Sequence, residues 1–227
     1  MKILLRFVDN GRENSLATRL RQKRVEFFAS LVSQLPRPLR ILDVGGSDSF
    51  WDQTGFLNQK GVQIVLLNLM KIEARYPNLR SVVGDARDLR EFRDKQFDVV
   101  FSNSVIEHVG NGQEQRRMAE EVRRVGKRYF VQTPNRYFPI EPHFLIPWFQ
   151  FLPLTVKVFL IRDFNLGWYP KTRDRQKALA RVTSINLLSR RELKALFPTA
   201  RVYQEKFFGL TKSFVAYEGF DGSQVVG

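Results

Sequence analysis

"ILDVGGSDSF", residues 41–50, is the stretch on which the reading of this chain turns. An apolar run ends at Asp43, and Gly45 and Gly46 follow at once, then Ser47, Asp48 and Ser49. Adjacent glycines accept positive φ and let backbone approach a bulky neighbour. Serine and aspartate are favourable helix N-caps. Strand, tight turn and helix N-terminus, in that order, make a common cradle for a nucleotide-like cofactor. The same ten residues also fit an ordinary turn between a strand and a helix, so their surroundings must arbitrate.

Those surroundings alternate. "RILDVG" (40–45) reads as a strand and "SFWDQTGFLNQKG" (49–61) as a helix stopping at Gly61. "QIVLLN" (63–68) is continuously apolar, as suits a strand buried on both faces. "SVVGD" (81–85) is the next strand, followed by a charged helix over "ARDLREFRDK" (86–95) and a fourth strand, "FDVVFSN" (97–103). "QEQRRMAEEVRRV" (113–125) places Met118, Val122 and Val125 on one helical face, and "RYFVQT" (128–133) is a fifth strand. Five buried strands separated by helices predict a parallel sheet covered on both sides, with its ligand beyond the carboxyl ends of the strands. Each of those ends carries glycine or short polar residues: "DVGG", "LLN", "GD", "SNSVIEH" and "TPN".

Residues 135–182 break the pattern, first rich in proline and aromatics, then strongly basic in "YPKTRDRQK" (169–177), and read as an insert or lid. "LSRRELKALF" (188–197) predicts a helix, and "ARVYQEKFFG" with "LTKSFVAYEG" (200–219) a pair of strands around Gly209 and Leu210. So short a connection makes the pair antiparallel.

Composition narrows the possibilities. The 227 residues suffice for one sizeable domain, and 43% hydrophobic residues supply a core. No cysteine is present, which removes disulfides, thiolate nucleophiles and cysteine zinc sites, and fits a reducing cytoplasm. With only two histidines, His108 and His143, no metal centre is expected. The net charge of +14 attracts anionic partners: nucleic acid, anionic membrane or phosphorylated substrate. Its densest run, "RLRQKR" (19–24), reads as the solvated face of an N-terminal helix, and no RNA-binding signature accompanies it. The segment "FLIPWFQFLPLTVKVFLI" (144–161) holds Pro147, Gln150, Pro153 and Lys157, so it is a poor membrane span and a better candidate for lying on a surface.

At this point the chain resembles the class I S-adenosylmethionine-dependent methyltransferases, in particular the type 11 small-molecule group. The resemblance covers residues 38–134 well and the C-terminal strand pair loosely, and "FDVVFSNSVIEHV" (97–109) is its nearest match. It implies a Rossmann-like, doubly wound, mainly parallel seven-stranded sheet with a late antiparallel strand. It implies a helical cap over residues 1–37, and a methyltransferase domain over 38–227 that carries the insert. S-adenosylmethionine is the implied cofactor. Asp43, Gly45 and Gly46 would meet its methionine part, Asn68 and Leu69 its ribose and adenine side, Asp85 and Ala86 the adenine, and Asn103 and Ser104 the methionine end again. Ser47 and Ser49 stand where the family has further glycines, and Asn68 where it has an acid.

Methyl transfer needs a base only when the acceptor carries a proton to lose, and histidine suits that near neutral pH. His143, in "PIEPHF" (139–144), is the first candidate and His108 the second, with Glu141 and Glu107 behind them. The fourth strand ends in "SNSV" rather than the Asn/Asp-Pro-Pro-aromatic motif of amino-group methylases. A small-molecule, glycan or lipid-linked acceptor is therefore expected, anionic or apolar, with peripheral contact to an anionic membrane through the insert. The alternatives are a methyltransferase-like scaffold that has lost its chemistry, suggested by Ser47, Ser49 and Asn68, and an RNA methyltransferase, suggested by the charge alone.

Overall fold

The computed structural model describes residues 16–52 and 54–220. Residues 1–15 of the expected cap lie outside the described residues, but α1 (Leu16–Val32) falls within them. Seven strands form one sheet: β1 (Leu39–Val44), β2 (Val62–Asn68), β3 (Leu79–Val83), β4 (Val99–Asn103), β5 (Tyr129–Pro134), β6 (Arg201–Phe207) and β7 (Leu210–Glu218). Their order across the sheet is β3-β2-β1-β4-β5-β7-β6. Every pairing from β3 to β5 is parallel, and β7 alone runs against its neighbours β5 and β6. This is the doubly wound, Rossmann-like sheet that the strand pattern predicts.

The parallel register brings the strand tips together. Val44 of β1 lies opposite Leu67 of β2 and Ser102 of β4. Hydrogen bonding continues past the strand ends, from Gly45 N–H to the Leu67 carbonyl (2.8 Å), Gly84 N–H to Asn68 (2.9 Å) and Ser104 N–H to Gln132 (3.1 Å). The polar ends of neighbouring strands therefore leave the sheet side by side.

Helices cover both faces, as burial of both sides of a parallel sheet demands. On one face α1 and the short helix α2 (Asp48–Asp52) set Phe28, Leu31, Trp51 and Phe56 against the apolar side chains of β1, β2 and β4. On the other, α3 (Gly112–Val125) packs Met118, Val122 and Val125 beside Leu193 and Phe197. A capping box starts α3: Asn111 Oδ1 accepts from the amides of Gln113 and Glu114, and Glu114 accepts from the Asn111 amide.

Two expected helices are corrected. Among the described residues of 49–61, only the end of α2 and a single 3-10 turn, Phe56–Asn58, are helical, and the chain turns at Gly55 with φ +73°. Residues 86–95 are not helical at all. Leu89 and Phe92 are buried against α3, and most of their backbone polar groups are satisfied by its side chains, the Phe92 amide instead donating to the Leu89 carbonyl. The Leu89 amide donates to Glu121 (2.5 Å), and Arg124 donates to the carbonyls of Leu89 (2.9 Å) and Phe92 (2.8 Å). Charge patterning suggested a solvated helix; tertiary hydrogen bonds replace its i→i−4 ladder.

Between β5 and β6 lie α4 (Leu154–Asp163), α5 (Arg175–Thr183) and α6 (Arg190–Leu196). The intervening stretch has an apolar cluster of its own, including Phe144, Phe149, Ile161 and Leu166.

The basic run at 19–24 is also corrected. Arg24 points inward: its guanidinium donates twice to Glu205 of β6, at 2.6 Å each, and once to Asn103 Oδ1 at the tip of β4. Arg24 and Glu205 are 11% and 5% exposed, so the pair is shielded from water. Removing one partner of such a pair leaves the other charge buried. Arg24→Ala is expected to cost roughly 3–5 kcal/mol in chemical denaturation, and the double change Arg24→Met, Glu205→Leu to recover most of that loss.

Candidate functional site

The turn after β1 is shaped by a carboxylate. Asp43 is buried, and Trp51 Nε1–H donates to its Oδ2 at 2.6 Å, while Oδ1 has no hydrogen-bond partner among the described residues. Burial pushes the acid up to about 7, partly opposed by the Trp51 bond. Gly46 faces this carboxylate so closely that an added Cβ would fall 1.5 Å from Oδ2. Gly45 has φ +74°, and its Cβ would meet Val105 Cγ2 at 2.5 Å. Each glycine is thus required by the protein's own atoms, whatever else lies against the turn.

Around it lies a crevice of about 170 Å³ whose lining includes Asp43, Gly45, Gly46, Phe50, Asn103 and Arg21 of α1. Asn68, at the tip of β2, donates from Nδ2 to the Gly46 carbonyl (2.9 Å), which ties the two tips together. Leu69 and Met70 beside it are exposed, as is Val83 at the end of β3. Ser104 has φ +57° and donates to Gln132 Oε1 at 2.8 Å. Asp43, Gly45, Gly46 and Asn103 therefore share one crevice, with Asn68 hydrogen-bonded to its wall and Ser104 next in chain to Asn103.

No helix follows Asp85; its Oδ1 accepts from the Arg87 amide (2.9 Å), closing a tight turn with Ala86 buried inside. The Arg87 guanidinium clasps both Asp85 oxygens and also reaches Glu114 at 2.5 Å. These hydrogen bonds hold the Asp85 carboxyl below the ordinary aspartate range.

On the other side of β4 the two histidines meet. His143 Nε2 and His108 Nε2 are 3.1 Å apart, with ring planes nearly perpendicular at 89°. His143 is oriented from behind by buried Glu141: Oε1 takes Nδ1 (2.7 Å), and Oε2 accepts the amides of His143 (2.8 Å) and Phe144 (2.7 Å). Burial lowers the His143 imidazole while Glu141 raises it, and the net direction is upward. Desolvation, then the charge of His143, push His108 down to about 4. Glu107 is buried at the base of the pair; Oε2 accepts from Thr133 Oγ1 at 3.0 Å, Oε1 has no partner among the described residues, and burial pushes the acid up to about 7. A second cavity of about 260 Å³ opens beside Glu141, lined by Phe144, Phe149 and the cations Arg136 and Lys157 among others.

Reasoning from sequence missed Arg21, Arg24, Phe50 and Trp51. The first two carried a signal: Arg21, Arg24, Phe28 and Leu31 fall at helical spacing, on the stripe that turns out to face the sheet.

The type 11 methyltransferase domain family matches residues 45–129. An uncharacterized protein of Mycobacterium tuberculosis, found in strains CDC 1551 and H37Rv, is 43% identical over 75 residues, 33% of this chain. The match spans about a quarter of those relatives' length, 26%. Among solved structures, a SAM-dependent methyltransferase from Methanosarcina mazei has TM-score 0.50 at 17% identity, covering 82% of this chain and 93% of its own. The CurJ carbon methyltransferase has TM-score 0.51 at 11% identity, covering 95% and 65%. At such identities these two establish the fold alone, while the family match speaks for the segment that holds the β1 turn and the tips of β2 to β4. Residues 45–129 therefore match the type 11 methyltransferase domain family, on a fold shared with a solved SAM-dependent methyltransferase.

Proposed function

We propose that the chain transfers the methyl of S-adenosylmethionine to a hydroxyl of a small-molecule, glycan or lipid-linked acceptor. The observation that carries this reading is the unpartnered Oδ1 of buried Asp43 on a crevice edged by two strand tips. A buried polar atom without a partner is costly, and a ligand's donor removes the cost. The residues present fit the cofactor: Asp43, Gly45, Gly46 and Asn103 would hold its methionine end, with Ser104 behind them. Asn68, whose Nδ2 is engaged by Gly46, would offer Oδ1 to the ribose. Exposed Leu69 would lie against the adenine, with Asp85 and Ala86 at its edge.

The cofactor supplies an electrophilic methyl on sulfur. The chain's own task is positioning, which in ideal cases removes about 7–11 kcal/mol of a barrier. Glu141, His143 and His108 border the acceptor's place and mark its nucleophilic atom. The neighbouring cavity, with phenylalanine walls and the cations Arg136 and Lys157, suits a ring-bearing, anionic acceptor. In this reading α1 is the cap, and the stretch 135–182 selects the acceptor.

A second observation concerns where the acceptor is met. No helix among the described residues is long and apolar enough to cross a membrane. Yet Trp148 (53% exposed), Phe151, Phe159 (57%), Phe164 and Trp168 present their rings to solvent within the insert, near Arg162, Lys171 and Arg173. Aromatics with flanking cations favour an anionic lipid surface. The chain is expected to float with phosphatidylserine-containing liposomes and not with neutral ones, less so in high salt.

Isothermal titration with S-adenosylhomocysteine is expected to give one site on the wild type. Gly46→Ala, which drives a methyl into the Asp43 carboxylate, is expected to abolish it. His143→Ala is expected to leave that affinity intact while reducing methyl transfer at least 100-fold. Absence of heat with the wild type would favour the scaffold alternative.

Asp43 also gives a pH signature. Its folded value of about 7 lies above the ordinary 3.8, so the folded state holds this proton more tightly. Its contribution to stability is therefore greatest below about 4, is lost as pH rises to about 7, and is constant above. Asp43→Asn keeps an acceptor for Trp51 and removes this loss. Without cofactor, it is expected to be more stable than wild type at pH 8 by about 1–3 kcal/mol, with the advantage gone near pH 4.

A further inference from the structure

Only two histidines occur in the chain, and the fold brings both to one point with a buried carboxylate. One ligand atom each from Glu107, His108 and His143 lies within 4.8 Å of the others. An imidazole hydrogen bond accounts for the 3.1 Å between the Nε2 atoms. It leaves Glu107 Oε1 unexplained: fully buried, without a partner among the described residues, on a carboxylate held in place through Thr133. A single cation accounts for all three groups at once.

We propose that Glu107, His108 and His143 bind one divalent transition-metal ion, zinc being the best match, with an open coordination position toward the acceptor. Two nitrogens and one carboxylate oxygen with a vacant fourth position form the donor set of catalytic zinc sites. Zinc–nitrogen bonds of about 2.0–2.1 Å at a tetrahedral angle place two ligand nitrogens about 3.3 Å apart, near the separation found here. The ligand atoms lie within 4.8 Å of one another, so the third side would shorten by up to about 1.5 Å for Glu107 to coordinate. Behind the ligands, Glu141 holds His143 Nδ1 at 2.7 Å, which fixes the ring and leaves Nε2 to coordinate. His108 has a backbone hydrogen bond at Ser184.

Resting on the function proposed above, the ion would take the acceptor's hydroxyl as its fourth ligand and acidify it. The O–H bond breaks and its proton leaves to solvent. The oxygen then forms the new O–CH3 bond as the C–S bond breaks, and that electron pair stays on sulfur. The histidines would then act as ligands rather than as the base expected from sequence.

The test uses the full chain, dialysed against chelator and titrated with Zn2+ by calorimetry and with Co2+ by visible absorption. One equivalent is expected to bind, with the intense bands of low-coordinate Co2+. Glu107→Gln and His143→Ala are expected to weaken binding at least 100-fold, and Glu141→Gln 10–100-fold. Should Glu107→Gln fail to fold, His108→Ala supplies the comparison. No saturable binding, or binding unchanged in His143→Ala and His108→Ala, overturns the site and leaves a hydrogen-bonded pair. S-adenosylhomocysteine binding on the same samples separates the two proposals. Its retention without ion uptake fails the metal alone, and ion uptake without it fails the methyl-donor reading.

Discussion

A carboxylate occupies the volume that a side chain at position 46 would fill, and the candidate cofactor site is organised around that exclusion. Asp43 can be buried at the end of β1 because Gly46 has no Cβ and because Trp51 donates to one of its oxygens. Its other oxygen has no partner among the described residues. A buried acid left half satisfied is expensive. The stable solution is either a raised proton affinity, as found, or an external donor. A ligand's donor at the β1 turn would satisfy that oxygen.

The parallel register extends this arrangement outward. Because Gly45, Gly84 and Ser104 each hydrogen-bond beyond a strand end, the tips of β1 to β5 cannot splay. The Asn68 amide bound to the Gly46 carbonyl adds a cross-link between β1 and β2. On the cap side, Arg24 fastens α1 to both Asn103 and Glu205, so the helix that lines the crevice through Arg21 is also joined to the far edge of the sheet. Covering helix and strand tips form one mechanical unit.

How much of this the sequence revealed depended on the range of the interactions. Apolar runs such as "QIVLLN" and the polar strand ends are local signals, and they yielded the sheet and most of the crevice. The helix expected at 86–95 failed because its backbone partners, Glu121 and Arg124, lie some 30 residues away on α3. Arg24 was read as a surface charge because Glu205 is 181 positions distant, and composition says nothing about such pairing. The histidine pair was legible as two candidates but not as a pair. Only the path of the insert brings His143 back to His108, and no periodicity encodes that return.

Amide hydrogen exchange of the full chain, with and without S-adenosylhomocysteine, tests whether that ligand seats on the β1 turn. Seating there is expected to slow exchange only at the amides following β1, β2 and β4 and in the turn at 85–87, with the remote edge at β6 unaffected. Unchanged exchange at Gly45 to Asp48 under saturating ligand, or protection appearing only outside that crevice, would contradict it.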